Sequence, residues 1–182
     1  MTQDIYNENL RFNPITADNL PLLHRWLNAS HVSRWWFMDD GSHNPTFEIV
    51  RDKWMKRIDS EEKVYCHIVS VDNESIAYIQ WYKVSDFEES MALVSASNDT
   101  AGIDIFIGEP DYLYKGFGPV IISKYINEII FKESDIRACI IDPEPENKAA
   151  IRAYEKVGFK YQYTTRDQQY GVDAYIMRLQ RE

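Results

Sequence analysis

The sequence predicts one mixed α/β domain spanning residues 1–182, on three observations. The length of 182 residues suits a single core and is short for two. Hydrophobic residues make up 45 % and charged residues 27 %, an ordinary globular balance. Apolar spacing switches between the helical and the strand period along the chain, and ends in strand–helix–strand–helix–strand.

Residues 18–27 read as a helix, because Leu20, Leu23 and Leu27 recur at helical spacing. Pro21 then belongs in its first turn, where a missing N–H is tolerated. A second helix starts at Thr46 as N-cap, with Phe47, Val50, Trp54 and Ile58 as its apolar stripe. Between them lies an aromatic and then acidic run, Trp35-Trp36-Phe37-Met38-Asp39-Asp40. Adjacent side chains diverge on any regular element, so both tryptophans cannot face one core and at least one is open to a ligand. Strands are predicted at 64–69 and 76–82, followed by a polar, acidic loop over 85–100. A strand at 102–107 puts Ile103, Ile105 and Ile107 on one face and Asp104 and Phe106 on the other. A helix over 119–131, a buried strand over 136–141 and a helix over 147–157 closed by Gly158 follow. Weaker strands at 161–163 and 174–179 flank a turn near Gly171.

Charge narrows the partners. Twenty-nine acidic against 20 basic residues leave a net charge of −9, which repels phosphate backbones and argues against nucleic acid. The same surface attracts a polycation, although acidity also serves plain solubility. The two cysteines, Cys66 and Cys139, sit in apolar stretches without metal-ligand spacing, so buried thiols and no metal site are expected. No apolar run approaches the roughly 20 residues that span a bilayer, and no leader pattern opens the chain, so no membrane partner and a cytoplasmic location are expected.

Two blocks carry chemistry. Tyr114-Lys115-Gly116-Phe117-Gly118-Pro119 follows a strand and opens a helix. Its glycines permit a tight turn and close approach of a ligand, and Pro119 suits an early helical position. N–H groups at such a helix start suit a phosphate, although a plain strand-to-helix turn would use the same residues. A dinucleotide fingerprint would need a third glycine, and a P-loop would need its lysine after the glycine, so both fail here. The second block, Asn147 to Phe159, reads N-x-x-A-x-x-x-Y-x-x-x-G-F.

Together these blocks resemble the GNAT superfamily of N-acetyltransferases. Shorter matches in the right order resemble one branch, the aminoglycoside 6′-N-acetyltransferases. They are Trp26-Leu27-Asn28, Ser30-His31, Trp35-Trp36, Pro45-Thr46, Gln80 with Tyr82, Gly102-Ile103-Asp104, Phe106 to Pro110, Asp142-Pro143 and Ala150 to Tyr154. The branch shares this chain's Leu113 where the wider family has Gln or Arg, whereas Ile105 stands where a polar residue is usual.

The resemblance implies a mostly antiparallel sheet, splayed at a CoA site and flanked by helices. It implies acetyl-CoA as co-substrate, with the pyrophosphate held at Lys115, Gly116, Phe117, Gly118 and Pro119. Backbone groups of Phe106 and Ile107 would meet the pantetheine, and Asn147 would hydrogen-bond the cofactor arm. Tyr154 would protonate the departing thiolate; read alone, it is equally a helix aromatic packed on the sheet. The implied acceptor is a cationic small-molecule amine, most specifically the 6′-amine of an aminoglycoside. Asp104 would hold and deprotonate that amine, with Asp142, Gln80, Trp36 and Asp40 as further acceptor contacts. An Asp in an apolar strand could instead serve a salt bridge or turn, but unpaired burial of a carboxylate is costly. Transfer would be direct, because neither cysteine is placed as a covalent relay. Other readings are a different amine or hydroxylamine acceptor (a polyamine, a siderophore precursor or a protein N-terminus) and an acyl-CoA-binding module without turnover.

Overall fold

The computed structural model describes residues 9–94 and 97–182. Its strands are β1 (Leu10–Pro14), β2 (Tyr65–Val71), β3 (Glu74–Lys83), β4 (Thr100–Ile107), β5 (Ala138–Ile141), β6 (Lys160–Arg166) and β7 (Asp173–Gln180). Its helices are α1 (Leu20–Leu27), α2 (Ser30–Ser33), α3 (Phe47–Ile58), α4 (Glu88–Leu93), α5 (Phe117–Glu128) and α6 (Lys148–Val157). The strands form one mixed sheet in the order β1-β2-β3-β4-β5-β7-β6. It is mostly antiparallel, with β4 and β5 as the parallel pair. Registered pairs between β4 and β5 stop at Gly102 and Ile140, whereas β4 itself runs on to Ile107.

The chain divides into two compact units. The first takes the chain up to Gln80 and then Ile105–Lys115; the second takes Trp81–Asp104 and Gly116–Glu182. In the first, Leu20, Leu23, Trp26 and Leu27 of α1 and Val50 and Trp54 of α3 are buried. Trp26 and Trp54 are fully buried. At roughly 200 Å² and ~25 cal/mol per Å², each contributes about 5 kcal/mol of hydrophobic stabilisation. Pro21 lies in the first turn of α1, as expected, and Thr46 Oγ1 accepts from Ile49 N to cap α3. The turn between β2 and β3 uses Asp72 (φ 51°) and Asn73 (φ 67°), residue types that tolerate the left-handed backbone of a tight hairpin.

In the second unit, β5 is buried along its whole length between β4 and β7. Helix α6 buries Ile151 and Tyr154 and ends at Gly158, whose φ of 108° admits the left-handed cap. Val84, Val94, Ile140, Ala174 and Ile176 form a buried cluster.

Several sequence expectations need correction. Residues 85–100 are not all loop: Glu88–Leu93 is helical, because Leu93 and Val94 anchor one short turn on the Val84–Ile176 cluster. Residues 95–96 of that stretch lie outside the described residues. Strand β1 was not expected, since only Leu10 of its five residues is buried. As an edge strand it tolerates Pro14 and Asn13. Helix 119–131 instead spans Phe117–Glu128, and a 3-10 turn follows at Ile130–Lys132. Gly116 at φ 88° is its N-cap, so Pro119 falls at the third helical position. The helix expected from residue 18 begins at Leu20 after a 3-10 turn, and Phe47 lies 36 % exposed rather than in the core stripe.

Candidate active site

The second unit gathers the acids. The registered pairs between β4 and β5 stop at Gly102↔Ile140, and two residues further on from each stand Asp104 and Asp142, close enough for the charge of Asp104 to act on Asp142. Asp142 comes directly after β5, where Pro143 stops the strand. Both side chains are half-buried. Burial, then Asp104, then Asp167 push the Asp142 carboxyl up to about 7. At neutral pH Asp142 is therefore only partly ionised, and a cation beside it favours the ionised form.

Tyr154, buried on α6, stands in the same field. Burial, followed by Asp104 and Asp142, holds its phenol far above the usual range. A phenol so placed stays protonated across the neutral range and is present as an O–H donor. Tyr82 on β3 is held protonated by burial and by the same two carboxylates. Its ring lies across Gly102, where an added Cβ would come within 2.5 Å of it. Tyr82 therefore defines why residue 102 is glycine, two positions before Asp104.

Asp167 and Tyr170 complete this electrostatic group from the β6–β7 turn. Asp167 also caps its own turn, accepting from the amides of Gln169 (2.8 Å) and Tyr170 (3.2 Å). Sequence reasoning missed both residues: a T-T-R-D turn carries no mark of which loop it will face.

The glycine turn sits at the start of α5. Tyr114 has φ 60° and is 91 % exposed, and no atom lies within 4 Å of where a Cβ on Gly116 would stand. The turn is thus open at the position where a phosphate would approach, and the first N–H groups of a helix point back toward such a ligand. Pro119 lacks an N–H and contributes shape alone. Gly118 lies 3.7 Å (from its notional Cβ) from Ala153 of α6, in ordinary contact. Asn147 Oδ1 caps α6 by accepting from Ala150 N at 3.2 Å, so its amide nitrogen is the half turned elsewhere.

The first unit gathers the rings. Trp36 meets Tyr78 and Phe106 edge-on, with centroids at 5.9 and 5.0 Å, and Tyr78 stacks on Phe106 at 5.3 Å. Trp35 diverges, as neighbours must, and lies under the Arg34 guanidinium. Trp36 Nε1 is buried without a hydrogen-bond partner among the described residues. Asp40 is exposed, and hydrogen bonds from the Ser42 side chain and then from Ser42 N, at 2.9 Å, lower its carboxyl below the ordinary value. Gln80 is buried, and its Oε1 accepts from Arg57 and Tyr78.

Other matched positions secure the far end of β4. Trp26 Nε1 donates to Glu109 Oε1 at 2.9 Å. A Cβ on Gly108 would come within 2.1 Å of the Trp26 ring. His31 Nε2 lies 3.1 Å from the Ile107 carbonyl oxygen. These contacts hold the strand just before the glycine turn. Among the described residues there is no group of three or more His, Cys, Asp or Glu that could hold a metal, and no helix long and apolar enough to cross a membrane.

Known proteins resemble this arrangement. Aminoglycoside N(6′)-acetyltransferase type 1 of Klebsiella pneumoniae is 28 % identical over 158 residues, covering 87 % of this chain and 77 % of that one. The fold is similar to AAC(6′)-Ib in complex with ribostamycin and coenzyme A, with a TM-score of 0.84 and 27 % identity. That match covers 95 % of this chain and 94 % of the other. A second AAC(6′)-Ib structure, with paromomycin and acetyl-CoA, matches with a TM-score of 0.83 at 28 % identity, covering 95 % and 94 % of the two chains. The model of the acetyltransferase (GNAT) domain matches residues 16–166, and this chain belongs to the GNAT acetyltransferase family.

Proposed function

We propose that residues 1–182 act as one acyltransferase domain that moves the acetyl group of acetyl-CoA to the 6′-amine of an aminoglycoside. The observation that carries this reading is the carboxylate pair Asp104, within β4, and Asp142, directly after β5, with Tyr154 in the same field. A half-buried acid whose ionisation is opposed by burial and by a second acid beside it suits a ligand bearing several ammonium groups. Two structures of one relative, AAC(6′)-Ib, bound to ribostamycin with coenzyme A and to paromomycin with acetyl-CoA, support the same pairing of substrates.

Acetyl-CoA, when bound, supplies the activated acetyl group. The open turn at Lys115, Gly116, Phe117 and Gly118, shaped by Pro119, would receive its pyrophosphate. The backbone of Phe106 and Ile107 would run beside the pantetheine, and Asn147 would donate to it from its amide nitrogen. Asp104 orients the acceptor amine and takes the proton its ammonium must lose. The C–N bond then forms as the C–S bond breaks. Tyr154 gives its proton to the leaving sulfur and regains one from the acylated nitrogen through solvent. Asp142 holds a second ammonium, and Trp36, Gln80 and Asp40 contact the sugar rings. Cys66 and Cys139 are buried, and burial pushes the Cys139 thiol up to about 12, which fits direct transfer without an acyl-cysteine.

The test is incubation of the purified protein with acetyl-CoA and kanamycin, ribostamycin or spermine. Thiol release is followed, and the acetylated position is located by NMR. Acetylation of the aminoglycosides at the 6′-nitrogen supports the reading; turnover of spermine alone replaces the acceptor, and thiol release with none of them defeats it.

A further inference from the structure

Tyr114 has no part in the chemistry above, and two features set it apart. Its backbone is left-handed, at φ 60°. Among the described residues the other non-glycine positions with positive φ are Asn44, Ser60, Asp72 and Asn73, small polar residues that suit turns. A bulky aromatic in the same region meets the clash of Cβ with the backbone that makes it rare. The ring is also 91 % exposed, so the fold draws no hydrophobic stabilisation from it.

The segment that leads to Tyr114 is firmly anchored within the first unit. Trp26 Nε1 donates to Glu109 Oε1 at 2.9 Å, and Arg25 forms an ion pair with the same carboxylate. Tyr112 OH donates to Glu74 Oε2 at 2.7 Å, and Leu113 N donates to the Pro110 carbonyl oxygen at 3.1 Å. The two nearby tyrosines therefore differ in use: Tyr112 ties the segment down, and Tyr114 holds its ring out in solvent. A disfavoured backbone persists where its surroundings over-determine it, and such positions cluster at ligand-binding sites.

Coenzyme A carries one group that matches an exposed ring. On the far side of its pyrophosphate from the pantetheine lies adenosine, whose flat base stacks on aromatic faces. Lys115, read above as a pyrophosphate contact, is the next residue in the chain, and consecutive Cα atoms stand about 3.8 Å apart. Covalent geometry alone thus keeps Tyr114 beside that phosphate. The backbone of Phe106 and Ile107, in the same unit, is read as meeting the pantetheine, which leaves adenosine as the part of the cofactor still without a partner.

We infer that Tyr114 is a binding residue for the adenine base of coenzyme A, which stacks on the ring that the left-handed backbone holds in solvent. The inference rests on the reading of the Lys115 turn as the pyrophosphate site and is independent of the acceptor.

The test measures binding of coenzyme A, 3′-dephospho-coenzyme A and 4′-phosphopantetheine to the full chain by titration calorimetry. Tyr114→Ala should weaken the first two about tenfold, the worth of one base stacked on an aromatic ring, and leave 4′-phosphopantetheine, which lacks the base, within about twofold. Tyr114→Phe keeps the ring and should bind all three as wild type does. Tyr114→Gly should lose the same affinity as Tyr114→Ala with no fall in thermal midpoint, because glycine adopts this backbone without strain. Unchanged affinity for coenzyme A in Tyr114→Ala overturns the inference. So does an equal loss for 4′-phosphopantetheine, which would put the ring's effect on the turn, and so does a loss confined to ligands with the 3′-phosphate. A lowered midpoint in Tyr114→Gly would make the ring part of the fold and overturn it too. Failure of wild type to bind any of the three overturns the reading of the turn itself.

Discussion

The polar groups of the two units are handled in opposite ways. Around Gln80 in the first unit, each group is answered by a partner of opposite character: Arg57 by Glu62, the Gln80 oxygen by Arg57, Tyr78 by Trp54. Around Asp104 in the second unit, like groups press on one another, and the Asp142 carboxyl and the Tyr82 and Tyr154 phenols all titrate above their ordinary values. A balanced network costs little and fixes geometry. A strained one stores a demand for positive charge, which a cationic substrate meets on binding. The contrast separates residues that hold one another in place from residues whose charges oppose one another, although both sets are polar.

Removing the strained set should cost activity without costing the fold. The largest effect is expected for Asp104→Asn, which keeps the shape and removes the base. Steady-state acetyl transfer should fall about 10³-fold with an unchanged thermal midpoint. Tyr154→Phe should lower kcat about 10²-fold and leave KM for both substrates within twofold, because only the leaving sulfur loses its proton donor. A matching fall in Tm for either variant would move that residue to the structural side of the comparison.

Gly102→Ala tests how firmly Tyr82 and the strand that carries Asp104 are joined within the second unit. The new Cβ would stand 2.5 Å from the Tyr82 ring, which is itself shielded and cannot swing aside freely. Overpacking of this kind costs about 1–3 kcal/mol, readable as a lowered urea midpoint. Activity should fall as well, because Tyr82 and Asp104 must shift together.

The smallest and most diagnostic effect concerns Asp142. Its carboxyl moves from 3.8 to about 7 on folding, so the folded state binds the proton more tightly. Folding stability is therefore lost as pH rises from about 4 to about 7. Asp142→Asn should be no more stable than wild type at pH 3 and more stable at pH 8. The acceptor KM should show the reverse dependence: in wild type it falls as pH rises through 7, and in the variant that limb disappears. A wild-type KM flat across this range would mean that Asp142 meets no ammonium.

Much of this molecule is legible in its sequence. The apolar spacing placed the helices now seen at Leu20–Leu27, Phe47–Ile58 and Lys148–Val157, including the Thr46 cap and the Gly158 stop, whereas Asn147, read as the first helical residue, is the cap of the third. These are local decisions, made by side chains within four residues of one another. The same holds for the Lys115–Pro119 turn, whose glycine takes a backbone angle that other residues resist. What escaped was decided at long range. Strand β1 is polar enough to read as coil, and only the β2 edge makes it a strand. Helix α4 looked like an acidic loop until Leu93 met Ile140 and Ala174.

The candidate site divides along the same line. Sequence alone determined which acids and phenols the chain carries, that Asp104 lies in an apolar strand, and that the second block belongs with the glycine turn. Only the tertiary structure decided that burial, Asp104 and Asp167 raise the Asp142 carboxyl, that Tyr82 demands glycine at 102, and that Arg57 donates to the Gln80 amide oxygen. The physical reason is range: backbone angles and caps follow from neighbours in sequence, whereas charge coupling and steric contact follow from distance in space, which only the folded sheet sets.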